Sequence, residues 1–193
     1  MKLNKVYTTV LLICLLPALS GCAAALVGGG AVAASTIIDR RTTGTQIEDQ
    51  SIELKAYKQI KEDAELNDQA HINVTSYNTV VLLTGETPTE AMRQRTVDII
   101  KSLEKVTHIY NELTIAAPSS MTSRSSDSII TSKVKTKMLS NQELSGLAVK
   151  VVTEKGVVYL MGLVSKREAE VATDIARQTG GVQKVVKLFQ YID

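Results

Sequence analysis

Cysteine is nearly missing from this chain: 193 residues hold two, Cys14 and Cys22, both close to the amino terminus. Nothing downstream can be cross-linked, so ordinary apolar cores must hold whatever folds there. Histidine is equally scarce, with His71 and His108 alone. A metal cluster takes three or four ligands, and no such set stands at usable spacing. The serines gather in one stretch and no nucleophile elbow occurs, so nothing points to an enzyme or to a cofactor. Excess charge is lacking too, with 22 basic residues against 20 acidic ones. That balance gives no general field for nucleic acid. Beyond the amino terminus, no apolar run reaches the roughly 20 residues a bilayer crossing takes.

What is present begins at that terminus. Lys2 and Lys5 lead into an apolar run from Val6 to Leu16, and Leu19-Ser20-Gly21 precede Cys22. These are the charged, apolar and processing regions of a secretory signal. The stretch from Val6 to Leu19 is too short for a hydrocarbon core of roughly 30 Å. With a cysteine at the junction, the pattern resembles the bacterial lipobox. The resemblance implies a signal peptide over 1–21, cleavage before Cys22, an S-diacylglycerol on its thiol and an acyl chain on its amine. Ala23 stands where an aspartate would favour retention in an inner membrane. The expected location is therefore the periplasm-facing leaflet of an outer membrane. Losing Lys2 and Lys5 with the signal leaves 20 basic residues facing 20 acidic ones, a formally neutral mature chain.

Residues 22–47 read as the lipidated terminus and a flexible tether, with Gly28-Gly29-Gly30 and then Asp39-Arg40-Arg41-Thr42-Thr43-Gly44. Gly28, Gly30 and Ala33 mimic a dinucleotide fingerprint only loosely, since no strand precedes them. A flexible stretch of about 25 residues spans roughly 25–30 Å end to end, so the chain beyond the tether is held near the bilayer.

The remainder repeats itself. Val80-Val81-Leu82-Leu83-Thr84-Gly85 matches Val157-Val158-Tyr159-Leu160-Met161-Gly162, with the glycines 77 residues apart. Ile72 and Val74 match Val149 and Val151, while Val106, Ile109 and Leu113 match Val182, Val185 and Phe189 at an offset of 76. Two copies of one small domain, 48–116 and 127–193, explain this, with 117–126 as a Ser/Thr-rich linker. Each copy reads helix, strand, strand, helix, strand. Ile52, Ala56 and Ile60 in the first copy, and Ile130, Val134 and Met138 in the second, are the stripes of the leading helices. Asp127 or Ser128 is the expected cap of the second. Val80 to Thr84 is a continuous apolar strand suited to the middle of a sheet, and Gly85 is expected to end it. Thr87 before Pro88 predicts a cap with Glu90 as its box partner; Ser165 and Glu168 predict another. The Asn78-Thr79 turn lacks the glycine of the strongest hairpin signal, which Glu154-Lys155-Gly156 supplies.

This order, the strand ending in Leu-Met-Gly, the alanines at 169, 172 and 176, and Gly181-Val182 followed by Val185 resemble the BON domain. The first copy departs from the pattern with Lys105 where the family commonly has glycine. A lipobox followed by two such domains is similar to the dual BON-domain outer-membrane lipoproteins. The resemblance implies an α+β fold of two tandem αββαβ domains, each a three-stranded mixed sheet packed on two helices. It also implies a non-catalytic protein that supports outer-membrane integrity, with anionic phospholipid contacted through the second domain and enrichment at the division septum.

The residues single out the same domain independently. Beside the stripe of Ile130, Val134 and Met138 runs Ile129, Lys133 and Lys137, with Lys135 further round and few acids to pair them. The first copy's leading helix instead balances Lys55, Lys58 and Lys61 with Glu48, Asp49, Glu53 and Glu62. The expected lipid-binding residues are therefore Ile129, Lys133, Lys135 and Lys137, facing an anionic lipid such as phosphatidylglycerol. The other reading is an adaptor that docks on envelope assembly or cell-division machinery through apolar positions elsewhere.

Overall fold

The computed structural model describes residues 39–145 and 148–193. The signal peptide, Cys22 and most of the tether lie outside them. The described chain runs α1 (Thr43–Glu62), α2 (Ala64–Gln69), β1 (His71–Tyr77), β2 (Val80–Thr87), α3 (Glu90–Lys101) and β3 (His108–Ile115). It continues with α4 (Met121–Leu139), β4 (Val149–Glu154), β5 (Val157–Val164), α5 (Lys166–Arg177) and β6 (Lys184–Tyr191).

Both repeats build the same sheet. β1 pairs antiparallel with β2, which pairs parallel with β3; β4, β5 and β6 do likewise. Each middle strand is covered on both faces, which is why its sequence is continuously apolar. Val81 and Leu83 turn toward Ile52, Ala56 and Ile100. Val158 and Leu160 turn toward Val134, Met138 and Ala172. The opposite faces meet each other: Tyr77 and Leu82 pack with Tyr159, Met161 and Leu188 in a third core that joins the repeats. Tyr77 adds a hydrogen bond from its hydroxyl to the Ala148 carbonyl, 3.1 Å.

Several local expectations shift. Neither glycine ends its strand: β2 runs to Thr87 and β5 to Val164. A Cβ on Gly85 would lie 2.0 Å from the His71 carbonyl oxygen, and one on Gly162 would lie 2.5 Å from that of Ala148. The glycines admit a neighbouring backbone rather than stopping a strand. Thr87 therefore stays in the sheet and the cap moves to Thr89, whose side chain accepts from the Met92 amide. The Ser165–Glu168 capping box forms as expected. Helix α4 begins six residues before Asp127, capped by Ser120, so much of the expected linker is helical. Lys105 holds φ +70 where the second repeat has Gly181 at +101.

Asp49 and Asp127 explain both hairpins. Asn78 and Thr79 each have positive φ, as do Lys155 and Gly156, the pattern of a type I′ turn. Thr79 is β-branched and disfavours that backbone region. The buried Asp49 carboxylate compensates, accepting from the Asn78 and Thr79 amides at 2.8 Å each and from the Ser76 hydroxyl at 2.6 Å. Asp127 accepts from the Lys155 and Gly156 amides, both at 2.9 Å. Asp127 is thus a prop beneath a turn, not a helix cap.

Candidate functional site

Helix α4 presents two unlike faces. Ile130, Val134 and Met138 are buried against the second sheet, as the spacing required, and Asp127 is buried with them. On the outer side Ile129 is 55% exposed. Around it the hydroxyls of Ser125, Ser128 and Ser132 donate to the carbonyls of Met121, Arg124 and Ser128, at 2.9–3.0 Å. Serines that bond back into their own helix have their donors satisfied without solvent. Covering such a face costs less than covering free hydroxyls.

The lysines divide. Lys133 shares a shallow groove with Ile129, Ser132 and Thr136. Lys137 borders the same groove, and its ammonium donates to the Gln178 carbonyl at 3.1 Å, a cation at the C-terminal end of α5. Lys135 lies on the other flank, lining a cleft with Asp39, Arg41 and Leu139. At about 100° per residue, Lys133 and Lys135 fall on opposite borders of the outer face. Met121 and Leu139 are also exposed, and no sequence pattern had marked them. They stand 18 residues apart at one azimuth, about 80° from Ile129 and separated by about 27 Å. The single acid of α4 is the buried Asp127.

The arginines of the expected tether are docked. Arg40 forms a two-pronged pair with Glu168 at 2.7 and 2.9 Å and also donates to the Leu163 carbonyl. Arg41 pairs with Asp39 and with Asp49, and its guanidinium lies 4.1 Å above the Tyr77 ring. The Arg40 pairing, with Ser165 adding hydrogen bonds, holds the Glu168 carboxyl below the usual range despite partial burial.

A second cluster lies where the repeats meet, and no motif or spacing announced it. His71 Nδ1 is 3.2 Å from Glu86 Oε2, and Lys155 Nζ is 2.7 Å from Glu86 Oε1. The Asn73 amide donates to Glu154 Oε2 at 3.1 Å, and the Ser119 amide to Glu86 Oε2 at 3.1 Å. His71, Glu86 and Glu154 each bring one ligand atom within 4.8 Å of the others. Burial pushes the Glu154 carboxyl up, Asn73 only partly offsetting it. Burial acts the same way on Glu86, but Lys155, Ser119 and His71 outweigh it and hold that group low. His108 takes no part and stacks edge-on to Tyr110.

Comparison with known proteins supplies the context. The BON domain family model matches residues 48–117 and 126–193. The chain is 42% identical over 175 residues to Outer membrane lipoprotein DolP of Haemophilus influenzae, covering 91% of both chains. It is 38% identical over 155 residues to the 21 kDa hemolysin of Actinobacillus pleuropneumoniae, covering 80% of both. Osmotically-inducible protein Y of Escherichia coli is 32% identical over 117 residues, or 59% of this chain and 58% of that one.

Proposed function

Because this chain belongs to the BON-domain family, with two repeats and a close likeness to an outer membrane lipoprotein, we propose that it is itself an outer-membrane lipoprotein. In this reading Cys22 carries the lipid, and the second repeat rests on anionic phospholipid through the outer face of α4. The observation that carries it is the exposed Ile129 on a face whose serines are internally satisfied, bordered by lysines and free of exposed acid. Each lysine near an anionic leaflet supplies roughly 1 kcal/mol. An inserted isoleucine adds about 1.5–3 kcal/mol. Such contact is weak by itself. An anchor of two or more acyl chains holds the domain at the surface, where weak contact becomes occupied. The protein then supports outer-membrane integrity by reading local lipid composition, including at the division septum.

The test uses the chain beginning after Cys22, so that no acyl group contributes. It should sediment with vesicles containing phosphatidylglycerol and not with neutral ones. Ile129→Asp should abolish sedimentation, and Lys133→Glu with Lys135→Glu should weaken it by about tenfold or more. Equal sedimentation with neutral vesicles, or an Ile129→Asp variant that binds as well as the parent, refutes the lipid reading. A specific feature also favours the adaptor reading: α1 exposes Ile47, Leu54 and Tyr57 among charges of both signs, a surface suited to protein rather than lipid. Retention of envelope-assembly partners by the Ile129→Asp variant would assign that role to the first repeat.

A further inference from the structure

Glu154 is 8% exposed, yet it receives one amide hydrogen bond and no ion pair among the described residues. A buried carboxylate normally finds a cation, a proton or a metal. Facing it are the imidazole of His71 and the fully buried Glu86. We propose that these three side chains form a binding site for a divalent transition-metal ion, Zn2+ by ligand preference, at the junction of the two repeats.

The geometry supports the assignment. Zinc bonds of about 2.0–2.2 Å in a tetrahedral site place neighbouring donors about 3.4 Å apart. His71 Nδ1 and Glu86 Oε2 already stand 3.2 Å apart, and all three donors fall within 4.8 Å. Two carboxylates and a neutral imidazole balance a 2+ charge, and an imidazole nitrogen disfavours Mg2+ and Ca2+. Three protein ligands leave the fourth position to water. The surrounding hydrogen bonds suit ligands rather than bystanders. Ser119 steadies the inner oxygen of Glu86 and Asn73 orients Glu154, while the Lys155 ammonium on the outer oxygen of Glu86 competes with a bound cation. Such supporting groups fix ligand carboxylates in metal sites. His71 and Glu86 come from the first repeat and Glu154 from the second, so a bound ion would staple one sheet to the other.

The experiment takes the full acylated chain in detergent, stripped with a chelator, and titrates it with ZnCl2 while bound metal and Tm are read. One Zn2+ per chain is expected, with Tm raised by about five degrees or more at a hundredfold excess over Kd. Glu154→Gln and His71→Gln should each weaken binding by at least about tenfold, while His108→Gln leaves it unchanged. Should those variants fold poorly, Lys155→Met provides the second measure, since removing the competing ammonium should tighten binding. MgCl2 at equal concentration should do nothing. The site is refuted by the absence of stoichiometric Zn2+, by binding that survives Glu154→Gln, by loss on His108→Gln, or by weaker binding in Lys155→Met.

Discussion

Helices α1 and α4 occupy equivalent places in the two repeats and differ where they face outward. Each exposes three large apolar side chains: Ile47, Leu54 and Tyr57 on α1, and Met121, Ile129 and Leu139 on α4. Apolar exposure therefore does not distinguish them. Charge does, because α1 mixes Glu48, Glu53 and Glu62 with its lysines, whereas α4 keeps its one acid buried. A surface carrying both signs is repelled by part of any anionic leaflet. The lesson is that duplication preserved the inner face of the leading helix and freed the outer one to specialise.

The preserved inner face can be broken most severely at its aspartates. Asp49 accepts from three groups of the first hairpin and pairs with the half-buried Arg41, while Asp127 holds two amides. Asp49→Ala takes away one of the two carboxylates that hold Arg41, leaving Asp39, and removes the support of a positive-φ threonine. Stranding two amides costs about 2–3 kcal/mol in either variant, and Asp49→Ala adds the lost Ser76 hydroxyl bond and one of the two Arg41 pairings, about 1–3 kcal/mol more. Urea unfolding should rank Asp49→Ala well below Asp127→Ala. Equal losses would mean that the two props are equivalent and that Arg41 contributes nothing.

A smaller asymmetry separates the glycines that begin the sequence match. Gly85 has φ +114 and Gly162 does not share that strain, although both admit a carbonyl oxygen. Alanine at Gly85 meets a backbone clash and an unfavourable dihedral together, for a loss of about 3 kcal/mol. At Gly162 the clash alone leaves about 2 kcal/mol. Urea midpoints of Gly85→Ala and Gly162→Ala check the order, and a larger loss at Gly162 would sink the backbone argument.

These glycines also show what the sequence could reveal. Their 77-residue offset, the stripes at Ile52 and Ile130, and the unbroken apolar runs of β2 and β5 were enough to give two αββαβ domains, because each pattern is set within one repeat. Local competition hid the start of α4. Serine and threonine bond to nearby backbone in coil as readily as in helix, so residues 121–126 read as linker. The junction was illegible for another reason. His71 and Glu154 belong to different repeats, and only the packing of Tyr77 and Leu82 on Tyr159 and Met161 brings them together. On the candidate lipid face, Ile129 and the lysines followed from spacing. Leu139 did not, because its exposure depends on where α4 ends.

Arg40 and Arg41 were hidden in the same way, and they divide between the repeats: Arg41 serves the first, Arg40 the second. The Arg40–Glu168 pair gives the mildest of the expected effects and a defined pH dependence. The Glu168 carboxyl is held below the ordinary value near 4.5, first by Arg40 and then by Ser165 against some burial. A depressed acid contributes stability that is complete above its unfolded value and is lost as pH falls through the folded one. The two-pronged pair is partly exposed, so about 1 kcal/mol is reasonable. Arg40→Gln should cost that much in urea unfolding at pH 7 and less at acid pH, as Glu168 takes up its proton and the pair is lost. A cost that stays constant between the two pH values would mean that Arg40 acts through its hydrogen bond to Leu163 and its packing, leaving the charge of Glu168 without a part in joining the leading segment to the second repeat.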